Sequence, residues 1–312
     1  MGSQELTILW LLMRIVVFGS SGKLGTGLVD GLQNSGFSEI YSPLRNELNL
    51  SVSGEVERYL KKVQPNVVIN SAGLTTNQDS TMLKQIEVFN YNTLLSQNVF
   101  NVLKKFTDCV YIEIGSASIY ESFPIEKISE LDFNQINEYY PKIEYSKSKV
   151  TQSIEIFNAA KNGSNMYSLI LPYVIYTGTK PMNNPGLFNR ISESIIDARN
   201  NNKEFNLDPK INSGVIRQFV HGFDVGRFCT KILKNEFKTG IIHLPHLPEI
   251  SISKFICQHL QFFSLDNQCI CQETINLKPT LTSVYSSSID FIYEYNAETL
   301  VNKLLEKYIN LN

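Results

Sequence analysis

The sequence predicts an α/β fold, with a doubly wound parallel sheet and a small C-terminal lobe, and two observations support this class. From Arg14 onwards, short β-branched runs alternate with longer helical patterns, as expected when crossover helices connect parallel strands. The strand runs are apolar throughout instead of alternating with polar residues, which is typical of strands buried on both faces.

The first half of the chain contains the units of the predicted sheet. The expected strands are RIVVF (14–18), EIYSP (39–43), NVVIN (66–70), CVYIEIG (109–115) and MYSLILP (166–172). The helices between them are expected from Gly22 to about Ser35, over 55–63, from about Asp79 to Phe106, and over 144–162. Gly163 follows the last of these helices, and glycine commonly ends a helix.

After Pro172 the regular alternation stops. Residues 176–186 have the composition of a loop, 187–201 have a helical pattern, and 214–233 read as a strand followed by a helix. A strand over 240–245 and a helix over 251–260 are predicted next. Because no exposed linker separates these segments from the sheet, we expect a lobe that packs against it.

Composition argues against several classes of partner. The 312 residues are 43% hydrophobic and 19% charged, with a net charge of -2 and no run of Lys or Arg. A globular protein with a small organic ligand is therefore expected, with no nucleic acid and no membrane as partner. The apolar run TILWLLM is too short to span a bilayer. Residues 1–12 are interpreted as a tag or an N-terminal extension.

The cysteines and histidines do not predict a metal site. The five cysteines lack the paired spacing of zinc ligands, and we expect reduced thiols in a cytoplasmic protein. His243 and His246 are close in sequence, but Pro245 lies between them and the sequence suggests no third ligand. They are interpreted as a strand end and a turn, with no metal.

Three glycines lie between the first strand and the first helix. Gly19, Gly22 and Gly25 of FGSSGKLGTG would form a tight turn and bring the free NH groups of a helix N-terminus close to a pyrophosphate. Their spacing is GxxGxxG, not GxGxxG. At this position in a parallel α/β pattern, they predict a dinucleotide site in a Rossmann-type sheet. A tight turn without a ligand is the alternative.

The end of the second strand bears on the choice between NADP and NAD. An acidic residue there would accept the ribose hydroxyls of NAD, but Glu39 precedes the strand and Arg45 follows it. A guanidinium suits a 2′-phosphate. NADP is therefore the expected cofactor, with NAD possible. A solvated Arg45 with no cofactor contact is the alternative.

An ordered set of motifs resembles the extended short-chain dehydrogenase/reductase family, which is the NAD-dependent epimerase/dehydratase family. The set comprises the glycine spacing, VINSAG after the third strand, GSASIY at the end of the fourth strand, and YSKSK in the next helix. The resemblance covers most of the chain. It is nearest to nucleotide-sugar 4-ketoreductases similar to GDP-fucose synthase and dTDP-4-dehydrorhamnose reductase.

The resemblance implies that Ser116, Tyr145 and Lys149 are catalytic. A tyrosine hydroxyl ordinarily has a pKa of about 10, so proton transfer at neutral pH requires a nearby positive charge. Lys149 lies one helical turn from Tyr145 and would supply that charge. Tyr145 would protonate the alkoxide that forms when hydride reaches a carbonyl carbon, and Ser116 would share the oxygen. An exposed helical pair is the alternative for Tyr145 and Lys149.

The resemblance also implies cofactor and substrate contacts. Arg217 of RQFVHGFDVGR matches the arginine of the family's RDFVHVxDV segment, which commonly contacts the substrate diphosphate, and Ser118 would contact the sugar. Asn90 matches a family asparagine, with a solvated side chain as the alternative. The expected cofactor-binding residues are Gly19, Ser21, Gly22, Lys23, Leu24, Gly25, Arg45, Leu50, Ser71, Ala72, Gly73, Tyr145, Lys149 and Pro172.

The residues after Ser116 distinguish between related reactions. Sugar 4,6-dehydratases resembling this chain carry Asp and Glu where it has Ala117 and Ser118. Relatives similar to GDP-fucose synthase carry a Cys at position 118 and a His in the following loop, and residues 177–190 contain no His. The expected reaction is therefore NAD(P)H-dependent reduction of the 4-keto group of a nucleoside-diphosphate 6-deoxy-4-ketohexose, in deoxysugar biosynthesis. An NAD-dependent nucleotide-sugar 4-epimerase and a non-catalytic cofactor-sensing protein are the alternatives.

These expectations imply a division of the chain. Residues 13–175 would form the dinucleotide-binding domain, with return segments near 215–245, and 176–312 would form mainly the substrate-binding lobe. By analogy with the family, the protein could be a homodimer through the long helix and the helix that carries Tyr145.

Overall fold

The fold is centred on a six-stranded parallel sheet. A computed structural model describes residues 12–75, 81–177, 186–208, 211, 214–234, 237–263, 280–284, 286 and 288–309. Numbered along the chain, the strands are β1 (Ile15–Phe18), β2 (Ile40–Tyr41), β3 (Val67–Asn70), β4 (Val110–Ser116), β5 (Lys127–Ile128), β6 (Met166–Leu171), β7 (Tyr173–Ile175), β8 (Ile216–His221), β9 (Gly240–His243), β10 (Glu249–Ser251) and β11 (Thr280–Leu281). The central sheet has the order β2-β1-β3-β4-β6-β9.

Helices cover both faces of this sheet. They are α1 (Lys23–Asn34), α2 (Ser53–Val63), α3 (Met82–Leu103), α4 (Glu144–Lys161), α5 (Leu187–Asn200), α6 (Gly222–Leu233), α7 (Ile252–Phe262) and α8 (Ala297–Ile309). Successive residues of β1 point to opposite faces: Val17 packs in a cluster with α1 and α6, whereas Val16 packs in a cluster with α2 and α3. Since all pairs of neighbouring strands in this sheet are parallel, the predicted doubly wound sheet is confirmed.

A second apolar cluster lies in the C-terminal part of the chain. Its buried members include Phe188 of α5, Phe219 of β8, Phe255 of α7 and Leu300 of α8. Beside it, β8 pairs in parallel with β7 and antiparallel with β10. The expected division at residues 175 and 176 stays a prediction. Residues 1–11, within the predicted tag or extension, lie outside the described residues.

Glycines allow α1 and α6 to pack with their backbones in contact. A Cβ on Gly27 would lie 2.8 Å from the backbone N of Phe223, and one on Gly226 would lie 2.9 Å from the backbone N of Leu32. Larger side chains at these positions would push the helices apart. This contact fixes α1, whose first turn follows the glycine loop.

Two of the cysteines and His243 are buried inside the fold. Cys109 and Cys229 are free and buried, and burial raises the pKa of each thiol to about 12. Cys257 is disulfide-bonded, so the expectation of reduced thiols throughout is wrong for this residue; Cys269 and Cys271 lie outside the described residues. His243 is buried, 2.9 Å from the Tyr120 hydroxyl.

Two further findings concern the described ranges as a whole. No group of three or more His, Cys, Asp or Glu side chains in them could hold a metal ion. None of their helices is long and apolar enough to cross a membrane.

Buried His259 predicts that acid destabilises the fold. Its ring lies 2.9 Å from Ser192 Oγ and 3.0 Å from the Phe255 carbonyl, and burial lowers its pKa to about 4. The unfolded chain therefore binds this proton more readily, and the stability present above the ordinary pKa is lost as pH falls towards 4. We expect the free energy of unfolding to fall by about 1 kcal/mol per pH unit in this window because of this one residue. Urea unfolding at several pH values would measure the slope, which His259→Gln should reduce; an unchanged slope would contradict the assignment.

Candidate active site

The predicted site residues follow strands that end at the same edge of the sheet. Gly19 follows β1, Ser71 follows β3, Ser116 ends β4, and Pro172 follows β6. Because these strands are parallel neighbours, their carboxyl ends lie together, where ligands of open α/β sheets bind. The Ser71 hydroxyl donates to the Phe18 carbonyl at 2.7 Å and joins the ends of β3 and β1.

The glycine loop leaves no room for side chains at two of its positions. Gly19 has φ +79°, and a Cβ there would lie 2.6 Å from the backbone N of Ala72. A Cβ on Gly25 would lie 2.6 Å from Ser20 Cα. Gly22 caps α1 and donates its NH to the Gly19 carbonyl at 3.0 Å. The loop thus brings bare backbone and the N-terminus of α1 to the cleft, an arrangement that fits a pyrophosphate.

A cleft of about 200 Å³ opens beside this loop. Eight of the predicted cofactor-binding residues line it, and they are Gly19, Ser21, Gly22, Arg45, Leu50, Ser71, Ala72 and Gly73. Lys23, Leu24 and Gly25 form the first turn of α1. The exposed Arg45 has its guanidinium carbon 5.5 Å from the centroid of the Tyr91 ring. Tyr91 also lines the cleft, and sequence reasoning missed it because nothing distinguishes it within a long helix.

Asn92 holds the loop that follows β3. Its side chain accepts from the Leu74 NH at 2.8 Å and donates to the Leu74 carbonyl at 2.9 Å. Asn92 is buried, whereas the predicted Asn90 is exposed on α3. The exposed position of Asn90 agrees with the alternative of a solvated side chain. Asn92, two positions further along, fixes this loop.

Ser116 and Ser118 lie side by side at the end of β4. Their hydroxyl oxygens are 3.0 Å apart, and the Ser116 oxygen also accepts from the backbone NH of Ser118 at 3.3 Å. A short 3-10 helix from Ala117 to Tyr120 turns the chain at this point. Both residues are partly exposed at this edge of the sheet.

Tyr145 and Lys149 occupy the first turns of α4. Tyr145 is partly exposed, and Lys149 is buried. The Lys149 ammonium donates to the Ile114 carbonyl of β4 at 2.9 Å and to Gln152 Oε1 at 3.0 Å. The bond to Ile114 holds the start of α4 against the end of β4, where Ser116 lies, whereas the bond to Gln152 stays within α4.

Arg217 lies on β8 in the C-terminal part of the chain. Its guanidinium carbon is 5.7 Å from the centroid of the Tyr173 ring, and its Nη1 donates to the Ile216 carbonyl at 3.1 Å. Its Nε is buried and has no hydrogen-bond partner among the described residues. A buried donor without a partner is costly, and an anionic ligand would satisfy it.

Arg190 is a second positively charged residue near the glycine loop, beside Lys23, and it was not predicted from the sequence. Burial and the neighbouring positive charge of Arg190 lower the pKa of Lys23. Arg190 is on the first turn of α5, and its NH donates to the Gly186 carbonyl at 3.1 Å. Within the described ranges, neither Lys23 nor Arg190 forms an ion pair with an acidic side chain. The two like charges suit a phosphate, a relation that the 167 positions between them hide in the sequence.

A protein-family model matches the part of the chain that forms the central sheet and the candidate site at the carboxyl ends of its strands. The model of the NAD dependent epimerase/dehydratase family matches residues 15–243. The chain belongs to this family. The match includes β1 to β9, and with them the glycine loop, Ser116, Tyr145 and Lys149. No curated protein sequence matches the chain.

Solved structures share the fold of this epimerase/dehydratase-family protein at low identity. A GDP-mannoheptose C4 reductase from Campylobacter jejuni with NADP bound is 18% identical, with a TM-score of 0.75, and the alignment covers 96% of this chain and 99% of that one. A dTDP-4-dehydrorhamnose reductase from Clostridium acetobutylicum is 17% identical, with a TM-score of 0.70 and the same coverage of 96% and 99%. A GDP-L-fucose synthetase from Naegleria fowleri bound to NADP is 15% identical, with a TM-score of 0.73 and coverage of 96% and 94%.

Proposed function

We propose that the protein is an NADPH-dependent reductase of the 4-keto group of a nucleoside-diphosphate 6-deoxy-4-ketohexose, acting in deoxysugar biosynthesis. The observation that carries this proposal is the meeting, at one edge of the sheet, of a glycine cradle with a serine pair and a Tyr/Lys helix turn. The GDP-mannoheptose C4 reductase and dTDP-4-dehydrorhamnose reductase that share the fold add support.

The proposed cofactor contacts follow from the cleft. The backbone around Gly19 and Gly25 would receive the pyrophosphate, and Leu50 and Ala72 would line the adenosine part of the site. Arg45, on the rim of the same cleft, would pair with a 2′-phosphate. NADP is therefore proposed, and NAD would bind without that ion pair.

The proposed chemistry assigns a separate task to each residue. Bound NADPH supplies the hydride. Tyr145 donates the proton that neutralises the developing alkoxide, and Ser116 donates a hydrogen bond to the same oxygen. Lys149, one turn along α4, supplies the positive charge that favours transfer of the Tyr145 proton. Without these groups the developing negative charge would have to be stabilised by water alone.

Two positively charged regions would contact phosphate groups, one those of the substrate and the other those of the cofactor. Arg217 has a buried Nε without a partner among the described residues, and a diphosphate would accept from it. Lys23 and Arg190 form the second region, near the start of α1. Ser118, 3.0 Å from Ser116 at the hydroxyl oxygens, would contact the sugar. A ligand with several phosphate groups suits this distribution of charge.

Incubation with candidate substrates tests the proposal and separates it from its alternatives. We expect purified protein to consume NADPH only when a GDP- or dTDP-linked 4-keto-6-deoxyhexose is present, and to form a product with a hydroxyl at C4. Fluorescence of NADPH and mass spectrometry of the nucleotide sugar would follow both changes. Interconversion of UDP- or GDP-hexoses without net change in cofactor would indicate a 4-epimerase. Cofactor binding without any turnover would indicate a sensor.

A homodimer is proposed through α3 and α4. Large apolar side chains are exposed along α3: Met82, Leu83, Ile86 and Leu94. Exposed apolar side chains of this kind along one helix favour contact with another protein surface. A cytoplasmic location is part of the same proposal, as is the absence of nucleic acid and membrane among the partners. Light scattering of the purified protein would measure the oligomeric state and so test the proposed homodimer.

A further inference from the structure

A glutamate lies in the middle of the central sheet, beneath the Tyr/Lys turn. Glu113 of β4 is 0% exposed, although the residues on either side of it are apolar. Its Oε2 accepts from Asn70 Nδ2 at 2.9 Å, from Ser96 Oγ at 3.2 Å, and from the Tyr111 hydroxyl. An ionised carboxylate can only accept hydrogen bonds, so these three donors suit the charged form of Glu113.

The second oxygen of this carboxylate faces Lys149. Glu113 Oε1 has no hydrogen-bond partner in the described part of the chain, and it lies 3.9 Å from Lys149 Nζ. It belongs to the only carboxylate within 4.0 Å of that ammonium among the described residues. Glu113 and Lys149 therefore form an ion pair, but the two atoms are too far apart for a hydrogen bond.

Lys149 needs such a counter-charge because its own side chain is buried. An ammonium has three protons, and two of them go to the Ile114 carbonyl and to Gln152. Both of these acceptors are neutral. Removing an ammonium from water is costly unless a charge of opposite sign compensates. Glu113, on β4 of the sheet, provides that charge.

We propose that Glu113 is a positioning residue for the reaction, acting through Lys149: it supplies the counter-charge to the buried ammonium and helps to hold it against β4, within one helical turn of Tyr145. The kinetic part of this inference rests on the proposed reductase function. The pairing of Glu113 with Lys149 does not, because it concerns the protein without ligands.

Glu113 should make catalysis sensitive to acid. Burial raises the pKa of Glu113, opposed by the charge of Lys149 and by its hydrogen bonds. As pH falls, this carboxylate is therefore protonated before an exposed glutamate, and Lys149 loses its counter-charge. The titratable groups facing Glu113 are Tyr111 of its own strand and Lys149 and Glu155 of α4; β3, β6 and α3 contribute the uncharged Asn70, Ser168 and Ser96.

A double-mutant cycle tests the pairing without any substrate. Glu113→Gln keeps an acceptor for the three donors but removes the charge, and Lys149→Met removes the other charge. We expect each single variant to melt about 5 °C below the wild type because it leaves one buried charge alone, and the double variant to melt within about 2 °C of the wild type. Additive losses in the double variant would overturn the pairing.

Glu130→Gln is the matched control for this cycle. Glu130 is also buried, but it accepts from the His243 NH at 3.0 Å and from Ser283 Oγ at 2.7 Å. Combined with Lys149→Met, its loss of melting temperature should be additive. If both cycles showed the same recovery, the effect would not be specific to Glu113 and the proposal would fail.

Kinetics test the positioning role. Glu113→Gln should lower kcat about tenfold with little change in KM, and its kcat should lack the acid limb of the wild-type profile. Glu113→Asp, which keeps the charge, should recover part of kcat and retain the limb; it also serves if Glu113→Gln does not fold. An acid limb unchanged in Glu113→Gln would overturn this role. Absence of turnover in the wild type would count against the reductase function, and the melting cycle would still decide the pairing.

Discussion

Tyr145→Phe is expected to lower the turnover of keto-sugar by roughly 10² or more, with NADPH binding unchanged. The substitution removes one hydroxyl from a partly exposed side chain in the first turn of α4, and the ring remains. If this hydroxyl is the proton donor, the alkoxide must take its proton from water, and the transition state loses a hydrogen bond. Steady-state rates with fluorescence titration of NADPH would measure the two quantities separately.

Tyr140→Phe provides the control for this experiment. Tyr140 lies five residues before Tyr145 and is 42% exposed. Loss of its hydroxyl should leave turnover unchanged. If Tyr145→Phe kept the wild-type rate, or if both variants lost rate equally, Tyr145 would have no part in proton transfer.

Arg45→Ala is expected to weaken NADPH binding by about 10- to 100-fold and to leave NADH binding nearly unchanged. The guanidinium lies on the rim of the cleft, 5.5 Å from the Tyr91 ring centroid, and a hydrogen-bonded charge pair with a 2′-phosphate contributes about 1.5–3 kcal/mol. NADH has no such phosphate, so it loses nothing. Calorimetric titration of both cofactors would give the ratio.

Arg58→Ala is the matched control, since Arg58 is an exposed arginine of α2 that is not among the residues lining the cleft. It should leave both affinities unchanged. Equal weakening of NADPH and NADH by Arg45→Ala would mean that Arg45 does not read the 2′-phosphate.

The central sheet could be predicted from the sequence because its signals are local. Runs such as NVVIN are apolar over their whole length and are bounded by helical patterns, and β3 and β4 appear within one or two residues of the expected bounds. The strand expected over 39–43 is reduced to Ile40–Tyr41, since Pro43 has no NH to donate to a ladder.

The remaining strands depend on distant partners. β10 and β11 contain three and two residues, and they exist through pairing with β8 and β5. No periodicity can be recognised in so few residues. α8, β5 and β7 were also missed in the sequence. The formation of β5 and β7 depends on the same kind of long-range contact.

The candidate site shows the same division. The glycine loop and the YSKSK turn are local motifs and could be recognised in the sequence. Glu113 is visible as a single charge in an apolar strand, but its relation to Lys149, 36 positions later, follows only from the packing of α4 on β4. Asn92 rather than Asn90 holds the loop after β3 because of where α3 faces that loop.

A crystal structure with NADP and a nucleoside diphosphate bound would test the central claim most directly. The account predicts that Tyr145 Oη and Ser116 Oγ both point to one position beside the nicotinamide ring, close enough for each to reach the same substrate oxygen. A Tyr145 hydroxyl directed into bulk solvent, on the side of α4 away from the cofactor, would contradict it.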